Sequence, residues 1–351
     1  MTSLPLLLFS IVILVQPTFS SQAPNDDDAQ MQIGSIDYFG YAGLDLKQVE
    51  NHLPIHVGDS VSFNSFDRKK EAIQRFVKQF TGKPASDIAI VCCDGANHLL
   101  IYIGLDGASS RSLAHNPPPR GQDRLEETAL KLYARDMAAI EDAVRRGASS
   151  EDDSKGYSLS ADPRARQVEL EIRAYAAGRG EEIERVLHNS SDVQQRRASA
   201  CLLGYADRSS AQIQGLIQAT SDVDDDVRNN AVRALAVLAS ANDAAGIDTD
   251  PSPFIAMLYS GQWTDRNKSS LLLFRLTHKR DPILLMKLRE QALEPLIEGA
   301  RWSDPGHSFG FLVILGRIEG IPEAQLLQMV TKGDSAGIIQ TAERALHETS
   351  H

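Results

Sequence analysis

Between residues 33 and 105 the apolar positions switch between two rhythms. Residues 33–41 alternate as a strand does, with Ile36 and Tyr38 on one face and Gly40 and Gly43 ending the run. Asp45 then precedes Leu46, Val49 and Leu53. This spacing of three and four predicts a helix with an acidic cap, which Pro54 stops. Gly58-Asp59 turns the chain, and Asp67 opens a second helix through Ile73, Phe76, Val77 and Phe80, closed by Gly82 and Pro84. Residues 87–93 and 98–105 read as two strands joined by Asp94-Gly95-Ala96-Asn97, since Asp-Gly between apolar runs signals a hairpin.

After the stiff connector Asn116-Pro117-Pro118-Pro119-Arg120-Gly121 the helical rhythm takes over. One helix carries Leu125, Ala129, Leu132, Ile140 and Val144. Residues 149–154 read as an acidic, solvated loop, and Asp162-Pro163 starts a further helix with Asp as cap and Pro in the first turn. A pattern then occurs twice, about 32 residues apart. Its first copy is Asp192, Arg196, Ser199, Leu203 and Gly204; its second is Asp224, Arg228, Ala231, Leu235 and Ala236. The preceding segments match as well, Ile183, Val186 and Leu187 paralleling Ile213, Leu216 and Ile217. A repeat of this length is one helical hairpin, which cannot bury its apolar face alone and must stack on neighbours. Weaker copies follow. Asp304, Ser308, Phe311, Leu315 and Gly316 keep the spacing, with residues 295–300 in the helix before them. Asp265, Leu272 and Leu276 keep it too, with Ser269 at the arginine position, and residues 322–346 supply a last hairpin.

The order strand, helix, helix, strand, strand, with Ile33-Gly34-Ser35-Ile36 before Gly40 and Val57-Gly58-Asp59 between the helices, resembles the POTRA domain of outer-membrane assembly and secretion proteins. The resemblance covers residues 33–106 and implies binding by pairing a partner strand with an exposed sheet edge. From residue 181 the chain resembles the short bacterial HEAT repeats also seen in bilin lyase relatives. That resemblance implies that Asp192 and Asp224 cap the second helix of each hairpin. It also implies that Arg196 and Arg228 bridge to acidic groups of the adjoining hairpin, that Ser199 and Ala231 let paired helices approach, and that Leu203 and Leu235 fill the shared core.

Composition narrows the partners. In 351 residues, 36 Lys and Arg stand against 47 Asp and Glu, a formal net charge of −11. An acidic chain without dense basic runs gains little from phosphate counterion release, so nucleic acid is not an expected partner. Residues 4–15 form a short apolar run followed by Thr18 and Ser20, small residues suited to a signal peptidase, with Ser21 as the expected mature start. The run is shorter than the roughly 20 apolar residues that span a bilayer. No Cys follows it, so the expectation is an exported chain, periplasmic or secreted, with no lipid anchor and no membrane span once mature. Cys92 and Cys93 are adjacent on a predicted strand, where successive side chains point to opposite faces. Both, like Cys201 on an apolar helix face, read as small buried hydrophobes rather than a redox or metal centre.

Several motifs suggest chemistry and give way to simpler readings. Gly333-Asp334-Ser335-Ala336-Gly337 matches a nucleophile elbow, but a helix rather than a strand precedes it, so it reads as a turn. His347-Glu348-Thr349-Ser350-His351 matches the zinc-protease pattern at a segment where a helix frays, and reads as incidental. Asp222, Asp224 and Asp226 begin like a calcium loop, but Val227 and Arg233 occupy the places that need Gly and Glu. His98 and His115 read as surface residues. Tyr259, Trp263 and Trp302 read as plugs of hairpin junctions rather than partner anchors. Asn189 and Asn267 begin glycosylation acceptor triplets, used only in a eukaryotic source.

These readings combine into an α+β chain: signal peptide 1–20, linker 21–32, POTRA-like domain 33–106, Pro-rich connector 107–122, helical linker region 123–180 and HEAT-like α-solenoid 181–348. The expected function is a non-catalytic binding or scaffold protein of the cell envelope that holds an unidentified protein partner. No catalytic residue, cofactor or metal is expected. The alternative is a lyase-type enzyme related to the bilin lyase HEAT-like proteins. Export and the lack of an acid–base constellation count against it.

Overall fold

A computed structural model describes residues 30–240, 247 and 249–349. The leader expected at 1–20 and most of the 21–32 linker lie outside these residues. The fold is α+β and divides into two compact units, one of residues 30–113 and 250–349, the other within 114–249.

The first unit opens with β1 (Met31–Phe39), α1 (Leu46–His52), β2 (Ser60–Val61), α2 (Phe63–Thr81), β3 (Asp87–Cys92) and β4 (Leu99–Gly104). The sheet order is β2-β1-β4-β3. β1 runs parallel to β4, while β2 and β3 pair antiparallel with their neighbours. Asp45 caps α1 by accepting from the Gln48 N–H. α2 begins four residues before Asp67, which lies exposed inside it, because β2 delivers the chain straight into the helix and Phe66 already packs in the core. One sheet face meets α1 and α2 through Ile33, Val49, Leu53, Ile73, Val77, Ile101 and Ile103.

Cys92 and Cys93 correct the sequence reading: they are joined in a disulfide and are only partly buried. Alternation separates neighbouring side chains only while a strand continues, and β3 ends at Cys92. Cys201 is a free, buried thiol, as expected.

The second unit contains α3 (Glu127–Arg145), β5 (Glu151–Asp152), β6 (Leu159–Ser160), α4 (Pro163–Ala176), α5 (Gly180–Asn189), α6 (Val193–Leu203), α7 (Ser210–Ala219) and α8 (Asp225–Ser240). α3 packs on α4, α5 on α6 and α7 on α8, and α6 touches both α3 and α8. Asp162 caps α4 by accepting from the Arg164 and Ala165 N–H groups, with Pro163 in the first turn. Ile183, Val186, Leu202, Leu216, Val227 and Leu238 are fully buried between the pairs. The stretch 149–154 is not a solvated loop. Its Glu151 lies in the β5–β6 hairpin, buried against Arg233 of α8, a partner too distant in sequence for local polarity to reveal.

The chain then returns to the first unit with α9 (Ser252–Met257), α10 (Trp263–Leu276), α11 (Pro282–Ala300), α12 (Pro305–Ile318), α13 (Glu323–Thr331) and α14 (Ala336–Thr349). α10 and α11 cover the second sheet face, contacting β1, β3 and β4. This is why β4, Leu-Leu-Ile-Tyr-Ile-Gly, is buried at every position: a strand covered on both faces reads as one apolar run. Tyr102, Trp263, Trp302, His307 and Phe311 form the aromatic layer there. The expected range 33–106 lies whole within the first unit, while the expected 181–348 is divided between the two units. No helix among the described residues is long and apolar enough to cross a membrane.

Candidate functional site

Each repeat position has a defined place. Asp192 caps α6 by accepting from the Gln194 N–H at 3.0 Å and pairs with Arg124 at 3.1 Å. Arg196, buried, grips both carboxylate oxygens of Asp222 at 2.8 and 3.0 Å and donates to the Ser190 carbonyl at 3.1 Å. Asp224 accepts from the Val227 N–H at the start of α8. Arg228 donates to the Asp222 and Val223 carbonyls of its own loop. Leu203, Leu235 and Leu315 have no exposed surface. Asp304 caps α12 by accepting from the His307 N–H. Gly204 and Gly316 allow close approach, the first to Ala234 and the second to Leu326.

The structure moves one copy of the pattern. Asp265 and Ser269 were the expected cap and arginine positions of α10, but the cap residue is Gln262 and Asp265 accepts from the Ser260 hydroxyl inside the first turn. Arg266 holds the arginine place. Its Nε donates to the carbonyl of Ser260, six residues back, as Arg196 does to Ser190 and Arg228 to Asp222. In all three copies the residue at that carbonyl also accepts, through its side chain, the backbone N–H two residues on: Asp192 to Ser190, Asp224 to Asp222, Gln262 to Ser260. Ser, Asp and Ser fill one geometric role, which hides the register from a search for Asp alone. Arg197 was also missed. It clamps Asp224 at 2.7 Å and Asp226 at 2.9 Å, so the three-aspartate segment is a helix start tied to an arginine. A position one residue after Arg196 turns roughly 100° around the helix and faces the next pair.

Gly316→Ala checks this packing. The added methyl overlaps the Leu326 side chain on α13, so a loss of about 1–3 kcal/mol is expected in a urea titration, against little change for Gly337→Ala, which meets nothing.

In the first unit a cavity of about 300 Å³ has Tyr41, Glu294, Glu298, Arg301, Glu343 and His347 in its lining. Arg301 donates to the Tyr41 hydroxyl at 2.9 Å and pairs with Glu343. Burial, then the neighbouring Glu298 charge, raises the Glu294 carboxyl above its ordinary range. Glu298 accepts from the Gly40 and Tyr41 N–H groups, the Ser109 hydroxyl and Arg266, at 2.7, 3.0, 2.5 and 2.9 Å. The volume is that of a small-molecule pocket. His347 lies on this wall, while His351, its partner in the expected metal pattern, falls outside the described residues.

The remaining candidates take structural places. Ser335 sits in the turn between α13 and α14, its carbonyl accepting from Ile338 and Ile339. His307 is held neutral, its pKa pushed down to about 4 by burial against the opposing charge of Asp304, and its Nδ1 meets the Tyr102 hydroxyl at 2.6 Å. Trp263, Trp302 and Tyr259 are buried, the last donating its hydroxyl to the Gln291 carbonyl. His98 is half-buried against Asp94, and His115 is exposed. Asn267 is buried within α10, where a glycan does not fit; Asn189 is exposed. No family model matches the chain, and no curated protein matches it.

Proposed function

We propose that this chain is an exported, non-catalytic binding or scaffold protein of the cell envelope, in which HEAT-like hairpins hold a protein partner and the POTRA-like strand and helix segment docks separately. The observation that carries this reading is the arginine clamp repeated at Arg196, Arg228 and Arg266, each tied to a carbonyl six residues back. Clamps of this kind fix each helix to the turn before it, and Arg196 to Asp222 and Arg197 to Asp224 then lock one helix pair to the next. Helix pairs locked in this way offer a stiff surface of the kind that suits holding a partner. The order β1, α1, α2, β3, β4 supports the POTRA-like part.

The test is capture by the immobilised full chain from envelope extract, with the bound partner identified and titrated, alongside N-terminal sequencing of the native protein. A saturable partner and a mature start at Ser21 are the expected results. Reproducible turnover by the purified chain, or no saturable partner, overturns the scaffold reading; an intact Met1 in a cytoplasmic fraction overturns export.

A further inference from the structure

Asp136 on α3, Glu169 on α4 and Glu151 on β5 face a single arginine, Arg233 on α8, inside the second unit. The three carboxyl side chains are 1%, 0% and 7% exposed. Arg233 Nη2 pairs with Glu151 at 2.5 Å and reaches the Ser158 hydroxyl, which itself donates to Glu151 at 2.7 Å. Glu169 accepts the Ser160 N–H. Among the described residues, Asp136 Oδ1, Glu169 Oε1, the Tyr205 hydroxyl and Arg233 Nε have no hydrogen-bond partner.

Three ionised carboxylates around one guanidinium would bury two uncompensated negative charges, which costs several kcal/mol per ion. Protons on the carboxyls remove that charge. Burial, with Glu169 and Glu151 adding to it against Arg233, raises the Asp136 carboxyl well above its ordinary value. Burial likewise pushes Glu169 up to about 7, with the Ser160 N–H, Arg233 and Arg166 opposing and Glu151 adding. Cys201 on α6 and Tyr205 in the turn after it face the same cluster, and burial raises both, so they stay neutral. Arg166, on α4 itself, is shared with Asp152 at 4.0 Å.

The cluster is also what seats the β5–β6 hairpin. Apart from Leu159, its buried anchors are polar: Glu151 and Ser158 on Arg233 and the Ser160 N–H on Glu169; half-buried Asp153 adds a bond accepted from Ser240 at 2.6 Å.

We propose that the 150–160 hairpin is a pH-operated clasp, seated on α3, α4 and α8 while Asp136 and Glu169 hold protons and released when they lose them. The sign follows from linkage. Glu169 binds its proton more tightly when seated than when open to water, so its contribution to seating is complete below the ordinary value of 4.5. That contribution is lost as pH rises through about 7. For Glu169 alone, the ratio of open to seated hairpin rises about tenfold between pH 6 and pH 8.5.

Hydrogen exchange of the full chain, corrected for intrinsic chemical rates, reads this directly. The peptide spanning 150–160 should lose protection at least about tenfold from pH 6 to pH 8.5, while α5 keeps its own. Glu169→Gln keeps the acceptor for Ser160 without a titrating proton, and Asp136→Asn does the same at the second group. Either should flatten the pH dependence. Equal protection at both pH values, the wild-type pH dependence retained in both variants, or loss spread evenly over α3–α8 overturns the proposal.

Discussion

Replacing Glu298 with alanine is expected to destabilise the unit of residues 30–113 and 250–349 by about 3–5 kcal/mol. Arg266 and Glu298 are 1% and 2% exposed, and the carboxylate is the common acceptor for two backbone N–H groups, a hydroxyl and the guanidinium. Truncation leaves Arg266 as a buried charge without its counterion and orphans the Gly40 N–H, where φ of +73° already commits the turn. Glu298→Gln keeps the volume but loses the charge and should recover part of the loss. Lys83→Ala, which breaks the exposed Lys83–Asp106 pair, should cost less than about 1 kcal/mol. Both tryptophans of the chain, Trp263 and Trp302, sit in this unit's aromatic layer, so their fluorescence in a urea titration reports it directly. A loss below about 1 kcal/mol for Glu298→Ala would mean the acceptor is replaceable.

What was legible in the sequence is what rests on local spacing. α1 with its Asp45 cap, α4 with Asp162 and Pro163, and the strand pair β3–β4 stand close to where the periodicity predicts them. Asp192, Arg196 and Leu203 likewise hold the cap, bridge and core places expected of them. What was not legible depends on partners far along the chain. The alternation of residues 33–41 places Ile36 and Tyr38 on one face but does not say what covers the other, where Asp37 accepts from Ser303 at 2.8 Å and Phe39 packs on Trp302. Glu151 lies in a stretch that reads as a solvated loop, while Asp136 stands between Leu132 and Ile140 on the buried face of its helix; the charge that answers both, Arg233, is far along the chain. The α10 register was missed because the clamp is defined by backbone geometry, which Ser260 satisfies as well as Asp222 does.

Arg196→Ala should be the most damaging single truncation in the α5–α8 stack, at about 3 kcal/mol or more. Arg196 is 3% exposed and Asp222 8%, so the carboxylate left behind stays in a dry junction with little more than the Asp224 N–H at 2.9 Å to answer it. The Ser190 carbonyl at the end of α5 loses its donor in the same step. Arg124→Ala removes a partner of similar chemistry, its pair with Asp192 at 3.1 Å, but there the guanidinium is 59% exposed and the expected cost is under about 1 kcal/mol. A double-mutant cycle of Arg196→Ala with Asp222→Ala separates the pair from the cost of one abandoned charge. If the double variant is more stable than Arg196→Ala alone, the lone carboxylate is the penalty. Both tryptophans lie in the other unit, so far-ultraviolet circular dichroism and exchange of the α5–α8 amides are the measurements to use. Equal losses for Arg196→Ala and Arg124→Ala would show that burial does not set the strength of these bridges.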